Sequence, residues 1–320
     1  MRITIATPAP RGSTAGNRVT ALRWSRILRG LGHRVRVTTG YDGRDCDVLI
    51  ALHARKSAAA VARFRKLRQC SGLIVALVGT DLYVDLKRRD PRALQSIDAA
   101  DRLVTLQPLA VQEVPKRLRA KVRTIFQSVA PVPVRPAGRA RESFVVAVVG
   151  HLRTVKDPFR AALAARELPA SSRIAIAHAG SALTPAMARR ARAEMKRNPR
   201  YHWLGALQPS RARALLGFAD VFVLSSRSEG GANALAEAIV AGVPVLASRI
   251  DGSIGLLGRG YPGYFTPGDT AALTRLLLRV ETDGAFRLKL RRAVSARAKL
   301  FAESRERNAW RALLKEMTVA

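Results

Sequence analysis

Short apolar runs rich in Val, Ile and Leu alternate along the chain with longer segments whose apolar positions recur every three to four residues. The first pattern is that of a strand buried on both faces and the second that of a helix covering it, so their alternation predicts parallel sheets flanked by helices. The alternation occurs twice. In the first half, strands are expected at residues 3–6, 35–38, 48–52, 74–78, 103–106 and 122–125, with helices between them that include 17–31 and 54–67. Pro131, Pro133 and Pro136 then interrupt the pattern, because each lacks an amide donor and fixes its own backbone; this stretch reads as a linker. A second series of strands follows at 144–149, 174–178, 201–204, 221–224 and 243–247. From Phe286 onward the chain is helical in character, with Leu288, Leu290, Val294, Trp310, Leu313 and Leu314 as apolar positions that pack on the body. The expected fold class is α/β, with two Rossmann-like doubly wound domains: residues 1–133, a linker at 134–143, residues 144–300, and a helix at 301–320 packing back on the body.

A chain of 320 residues, 48% of them hydrophobic, is long enough for two buried cores. No apolar run reaches the roughly 18–20 residues of a membrane span. Met1-Arg2-Ile3 enters a strand pattern at once, without the apolar stretch and cleavage site of an export signal. The two cysteines, Cys46 and Cys70, form neither a CxxC pair nor a metal-spaced cluster. A reduced, cytoplasmic setting is therefore expected, with no disulfide framework and no structural zinc. The net charge of +33 raises nucleic acid, an anionic membrane surface or an acidic substrate as partners. The excess is spread through both halves and is mostly arginine on predicted helices, as at Arg63, Arg65 and Arg68 or Arg189, Arg190 and Arg192. That is the pattern of solvated faces, and no nucleic-acid partner is expected from it.

The densest chemistry lies after the strand at 221–224, where Ser228-Glu229-Gly230-Gly231-Ala232-Asn233 leads into an alanine-rich helix carrying Glu237. Eight residues is a little over two helical turns, so a glutamate at the loop mouth and one on the helix can face one elongated ligand. The glycine pair lets backbone amides approach that ligand, and a helix start suits an anion. A sugar diphosphate meets these demands, since its hydroxyls require carboxylate acceptors. Taken singly, Glu229 reads as a helix cap and Glu237 as a surface residue. The second landmark is Gly150-His151-Leu152-Arg153-Thr154-Val155-Lys156 at a strand end, where Arg153 and Lys156 suit the charge that develops on a departing diphosphate. No DxD element stands at a strand end, so a reaction without metal or cofactor is expected. In the first half, the loop from Pro8 through Arg11 to Gly16, Asn17 and Arg18 opens a helix whose amides suit a phosphate. It is not a GxGxxG fingerprint, and no acidic residue closes the next strand, which argues against a nicotinamide dehydrogenase. His53 follows the strand at 48–52, and Gly79-Thr80-Asp81 reads as a rim element or a helix cap.

The pair Glu229 and Glu237, with a strand before and Gly242-Val243-Pro244-Val245 after, resembles the glutamate-x7-glutamate motif of the family 4 glycosyltransferases, and the resemblance runs over nearly the whole chain. It implies the GT-B fold, in which two Rossmann-like domains face a central cleft. It further implies metal-independent transfer from a UDP-sugar, which is a substrate and not a cofactor, with retention of anomeric configuration. On the same resemblance Glu229 contacts the transferred sugar and Glu237 the ribose, and Gly230, Gly231, Ala232 and Asn233 line the donor. Gly231 and Ala232 stand where many members have an aromatic residue and a glycine. The segment at 150–156 is similar to the family's Gly-Arg-x4-Lys, with Lys156 matching the lysine, His151 in the arginine position and Arg153 two residues on as its substitute. The resemblance also places Gly16, Asn17, Gly180 and Leu207 at the donor and His53 near the transferred sugar.

Three segments, 150–158, 79–83 and 228–233, are similar to those of the bacterial selenosugar synthases of selenoneine biosynthesis. Those enzymes join selenophosphate to the anomeric carbon of a UDP-sugar, typically UDP-N-acetylglucosamine. A small anionic acceptor of that kind would suit Arg11, Arg18, Arg55 and Lys56, with Thr80 and Asp81 at the rim; equally, the four cations read as ordinary surface residues. Two alternatives stay open. One is a family 4 transferase acting on a lipid-linked or other sugar at the inner membrane, in peripheral contact with it. The other is a non-enzymatic basic nucleic-acid-binding protein on a degenerate Rossmann scaffold.

Overall fold

The computed structural model describes residues 1–13, 15–69, 71–133 and 142–317. Cys70 and residues 134–141 of the expected linker lie outside the described residues. The chain divides into two compact units. One comprises Met1–Ser128, Glu229–Gly231 and Ala302–Ala320; the other comprises Val129–Ser228 and Ala232–Phe301. Among the described residues no helix is long and apolar enough to cross a membrane.

The first unit is built on β1 (Arg2–Ala6), α1 (Gly16–Gly30), β2 (Arg34–Thr38), β3 (Val48–Leu52), α2 (Ala58–Leu67), β4 (Gly72–Leu77), α3 (Pro91–Ala99), β5 (Arg102–Thr105) and β6 (Val122–Thr124). Its six strands pair in parallel in the order β2-β1-β3-β4-β5-β6. β3, Val-Leu-Ile-Ala-Leu, is buried along its whole length, as a strand covered on both faces must be. Asp90 starts α3 by accepting the Ala93 amide at 3.0 Å, with Pro91 in the first turn, where its missing donor costs nothing. The helix expected at 54–67 begins four residues late. His53 takes a left-handed φ of 74°, and the Ser57 hydroxyl donates to the Leu52 carbonyl at 2.7 Å, so residues 54–57 turn before α2 can start.

The second unit holds β7 (Phe144–Val149), α4 (Arg160–Arg166), β8 (Ile174–Ala179), α5 (Pro185–Arg197), β9 (Tyr201–Trp203), α6 (Pro209–Phe218), β10 (Val221–Leu224), α7 (Asn233–Val240), β11 (Val245–Ser248), α8 (Asp251–Leu257), β12 (Tyr264–Phe265), α9 (Thr270–Thr282) and α10 (Gly284–Ser295). Its parallel strand order is β12-β11-β10-β7-β8-β9. The strand expected at 243–247 starts at Val245, because Gly242 is left-handed at φ 66° and Pro244 has no amide to give the sheet. The two-residue β12 was too short to show as an apolar run. Leu288 is 46% exposed; Phe286, Leu290 and Val294 bury the face of α10 instead.

The last helix, α11 (Glu303–Glu316), belongs to the first unit. Trp310, Leu313 and Leu314 enter the same core as Ile3, Trp24 and Leu28. Trp310 meets Trp24 edge to face with ring centroids 4.8 Å apart, a contact whose removal by truncation to Ala costs about 3–5 kcal/mol. Buried Glu306 accepts the Trp24 indole N–H at 2.9 Å on Oε1 and the Ser128 amide at 2.6 Å on Oε2, and burial pushes its carboxyl upward. At the far end Glu316 takes the guanidinium groups of Arg102 and Arg123 at 2.7 and 2.8 Å, which together draw its carboxyl down from 4.5 to about 2.

Candidate functional site

In an open parallel sheet the chain leaves a crevice at the carboxyl ends of the two strands where strand order reverses. In the second unit the chain winds β7, β8, β9 in one direction and then returns to place β10 on the other side of β7. The loops leaving β7 and β10 therefore meet at that reversal, and they are the two segments, 150–158 and 225–232, that carry the chemistry in the sequence. A small recess opens there, bordered by Val148, Gly150, Lys156, His178 and Ser225.

The cationic loop is tied down from several sides. Thr154–Lys156 form one helical turn, with the Lys156 amide donating to the Arg153 carbonyl at 2.9 Å. The Ser225 hydroxyl lies 3.2 Å from the Lys156 carbonyl and 2.9 Å from that of Asp157, and the Arg227 amide donates to the Val155 carbonyl at 2.8 Å. Asp157, left-handed at φ 43°, pairs with Arg160 at 3.0 Å and with Arg227 at 3.9 Å. Arg153 is exposed and Lys156 half-buried. This arrangement fixes the backbone of the turn that carries the two cations.

On the other flank, Gly150 and Gly180 touch backbone to backbone. A Cβ at Gly180 would stand 1.9 Å from the Gly150 carbonyl oxygen, so only glycine fits. The Gly180 amide donates to the Gly205 carbonyl at 2.7 Å, and the Trp203 indole donates to the Gly180 carbonyl at 2.8 Å, which joins the loops after β8 and β9. His178 lies beneath them: Nε2 is 3.1 Å from the Gly150 carbonyl and Nδ1 is 3.0 Å from the Tyr201 hydroxyl. Burial lowers the His178 pKa to about 4, so the ring is neutral near pH 7.

The remaining expected donor residues fall as follows. The His151 Nδ1 accepts the Ser181 amide at 3.2 Å. Leu207 is half-buried beyond β9; Ala232 caps α7 and Asn233 opens it, with half-buried Glu237 on its second turn. Glu229, Gly230 and Gly231 group with the first unit, where buried Glu229 precedes two glycines with no room for a side chain. A Cβ at Gly230 would stand 2.3 Å from the Val78 carbonyl oxygen, and one at Gly231 would stand 2.7 Å from the Leu106 Cβ. Close packing thus demands both glycines, a reason that the sequence did not disclose.

In the first unit strand order reverses between β1 and β3, so the loops after those strands, bearing Arg11 and His53, lie at its crevice. Buried His53 accepts the Lys56 amide on Nδ1 at 3.3 Å, which leaves its Nε2 proton to the Thr80 hydroxyl at 2.9 Å. Burial, and then nearby Lys56, lower the His53 pKa against the opposing pull of Asp81 and Asp85, whose Oδ2 lies 4.0 Å from Nε2. Asp81 is fully buried and accepts the amides of Ala54, Val78 and Gly79 at 3.1, 3.1 and 2.8 Å. Its carboxylate is spent on fastening β3 to β4, while Thr80 holds His53. Arg55 pairs with Asp85 at 3.4 Å and Asp90 at 3.3 Å, so this expected acceptor cation is held by two carboxylates. Arg11, Gly16 and Lys56 are exposed, and Asn17 and Arg18 are half-buried in the first turn of α1.

Sequence reasoning passed over His178, Tyr201, Ser225, Asp157 and Asp85. One signal was available for His178, which shares the buried face of β8 with Ile174 and Ile176 at every second residue.

Residues 135–301, more than half of the chain, match the family of glycosyl transferases group 1, and the chain belongs to that family. No curated protein matches it. Among solved structures, Alr3699/HepE from Anabaena in complex with UDP has a TM-score of 0.78 at 14% identity, covering 99% of this chain and 100% of that one. The same Anabaena protein in complex with UDP-glucose gives 0.77 at 13%, covering 100% of both chains. Sucrose-phosphate synthase from Thermosynechococcus elongatus gives 0.78 at 17%, covering 99% of each. At such identities the likeness is one of fold: the chain has the GT-B architecture of two Rossmann-like domains, and by family and fold it is a glycosyltransferase.

Proposed function

We propose that this glycosyltransferase is a metal-independent family 4 enzyme of the cytoplasm that joins selenophosphate to the anomeric carbon of a UDP-sugar, with UDP-N-acetylglucosamine as the preferred donor. The observation that carries the donor reading is the placement of the cationic loop after β7 and the Ser225–Arg227 loop after β10 at the strand-order reversal of one sheet. The complexes of Anabaena Alr3699/HepE with UDP and UDP-glucose, which share the fold, support a uridine nucleotide there. Arg153 and Lys156 stabilise the charge gained by the leaving UDP, supplying what a divalent cation would otherwise supply. Glu237 accepts from the ribose hydroxyls, Glu229 from the transferred sugar, and His53, its two nitrogens held by Lys56 and Thr80, stands near that sugar. Gly16 and Asn17 present amides to the distal phosphate.

The choice of selenophosphate rests on the resemblance of three segments, Gly150 to Pro158, Gly79 to Tyr83 and Ser228 to Asn233, to those of selenosugar synthases. Arg11, Arg18 and Lys56 are the cations that would receive the anionic acceptor. Selenium attacks the anomeric carbon as its bond to the UDP oxygen breaks, giving a selenium-linked glycosyl phosphate and UDP. Water then cleaves the selenium–phosphorus bond, releasing phosphate and the 1-selenosugar. Incubation with selenophosphate and UDP-N-acetylglucosamine in the presence of EDTA, followed by mass spectrometry, tests this: a selenium-bearing sugar is expected. Release of UDP without selenium transfer overturns the acceptor, and dependence on added metal overturns the metal-free mechanism.

A second reading, transfer to a lipid-linked sugar at an anionic membrane, draws on the outer face of α1. There Val19 and Leu22 are 39% and 51% exposed, among several arginines and no acidic residue. Sedimentation with anionic vesicles separates the two, since selenophosphate transfer requires no membrane.

A further inference from the structure

We propose that His178 is a positioning residue for the donor's diphosphate: by holding the Gly150 carbonyl from below, it sets the path of the loop that presents Arg153 and Lys156. The inference rests on the donor-site reading above and assigns a role to a buried residue of β8 that is not itself an expected ligand contact.

The hydrogen positions follow from the partners. A carbonyl oxygen carries no proton, so the 3.1 Å contact requires that His178 Nε2 donate to Gly150. A neutral imidazole has one N–H, so Nδ1 accepts the Tyr201 hydroxyl proton across 3.0 Å. Both nitrogens are thereby committed to protein, and the ring is 1% exposed. His178 therefore acts through Gly150 and has no free atom for substrate.

The contact matters because of what else fixes Gly150. Its amide donates to the Ala179 carbonyl at 2.9 Å, as the last rung of the β7–β8 ladder, and its carbonyl is pressed by Gly180. Past this point the chain keeps one more tie to the segment after β8, the Leu152 amide donating to the Ser181 carbonyl at 2.8 Å, and the peptide joining Gly150 to His151, between the two ties, is the first unit of the phosphate loop. Without the imidazole N–H a partly buried carbonyl loses its donor, and that peptide can tilt between its ties at the Gly150 and Leu152 amides. Tilting re-aims the His151 amide and shifts the turn bearing Lys156, which borders the same recess as His178. Imidazole is suited to this place because, buried as it is, it stays neutral and donates in one fixed direction.

The test uses the full-length protein with His178→Leu, which removes the donor, His178→Gln, which restores an N–H of similar reach, and Tyr201→Phe, which removes only the partner of Nδ1. Two quantities are read: amide hydrogen exchange across residues 150–156 in the ligand-free protein, and kcat and KM with UDP-N-acetylglucosamine. In His178→Leu, loop exchange is expected to rise at least tenfold and kcat/KM to fall by about 100-fold, with His178→Gln recovering about tenfold of that loss and Tyr201→Phe losing less than the leucine variant. A folded His178→Leu protein with unchanged loop exchange and kinetics overturns the role. If that variant does not fold, His178→Gln decides: kcat/KM within about tenfold of wild type supports the role, and a greater loss overturns it. Wild-type protein with no affinity for UDP refutes the donor reading, and the exchange data keep that failure distinct from a failure of the Gly150 contact.

Discussion

Replacing Gly180 by Ala puts a methyl group where the structure has no space for one. The new carbon would lie 1.9 Å from the Gly150 oxygen, whereas ordinary contacts begin at 3.4 Å, so the two backbones must separate by about 1.5 Å, the difference of those distances. Neither neighbour yields easily, because the Gly150 amide is bonded to Ala179 and the Gly180 amide to Gly205. Overpacking of this kind costs about 1–3 kcal/mol, which in a unit of this size lowers the melting temperature by roughly 2–12 °C. The larger effect is expected on turnover. A shift of about 1 Å in a positioned group costs on the order of 100-fold, and the displaced strand end leads directly into the loop of Arg153 and Lys156. Trp203 offers a local probe, since its indole N–H is bonded to the Gly180 carbonyl and its fluorescence should change with the backbone. Melting curves, Trp fluorescence and UDP release from UDP-N-acetylglucosamine with selenophosphate measure the three effects. A Gly180→Ala protein that matches wild type in melting and in kcat/KM would refute the claim that this close approach sets the site.

Lys156→Ala and Arg153→Ala should each weaken UDP binding by about 10–100-fold in titration calorimetry, at a cost in stability within roughly 0.5 kcal/mol because both side chains reach solvent. Glu229→Ala should act mainly on kcat in steady-state kinetics. Glu306→Ala strands the Trp24 indole and the Ser128 amide in a buried place, so chemical denaturation should show a loss of about 1–3 kcal/mol for each donor left unpaired. Glu316 titrates at about 2 when folded against an ordinary 4.5, so the unfolded chain takes up its proton first. Its contribution is therefore present above pH 4.5 and lost as pH falls toward 2, and Glu316→Gln should flatten the acid limb of stability in that window. An unchanged acid limb in the variant would show that Arg102 and Arg123 do not hold this carboxylate in solution.

What could be read in the sequence was whatever is local. β7 and β10 are continuous apolar runs, and each ends in small and charged residues, so strand and site segment announce themselves together. Sheet order, which brings those two ends side by side, is not local, and neither are the contacts that stiffen them. Ser225 reaches a carbonyl 69 residues away and His178 one 28 residues away. The same limit explains why Asp81 and Arg55 read as acceptor contacts: the amides that fill one and the carboxylates that pair the other come together only when β3 and β4 adjoin. Gly230 and Gly231 read as openings for a ligand, since a glycine looks alike whether its missing side chain makes room for substrate or for neighbouring backbone.

The return of α11 to the first unit has a consequence for how the chain comes to be folded at all. Residues up to Ser128 supply the whole six-stranded sheet, yet Trp24 lacks its aromatic partner and Ser128 its carboxylate until residues 306–314 exist. Synthesis from Ser128 through Glu316 adds 188 residues, which at about 5–20 residues per second takes on the order of 10–40 s. For that interval the nascent first unit carries an open apolar seam along α1 while the second unit, contiguous apart from three residues, can close. The domain made first is thus completed last, and a chaperone that shields the α1 seam would act on a vacancy that only the chain's own final helix can fill.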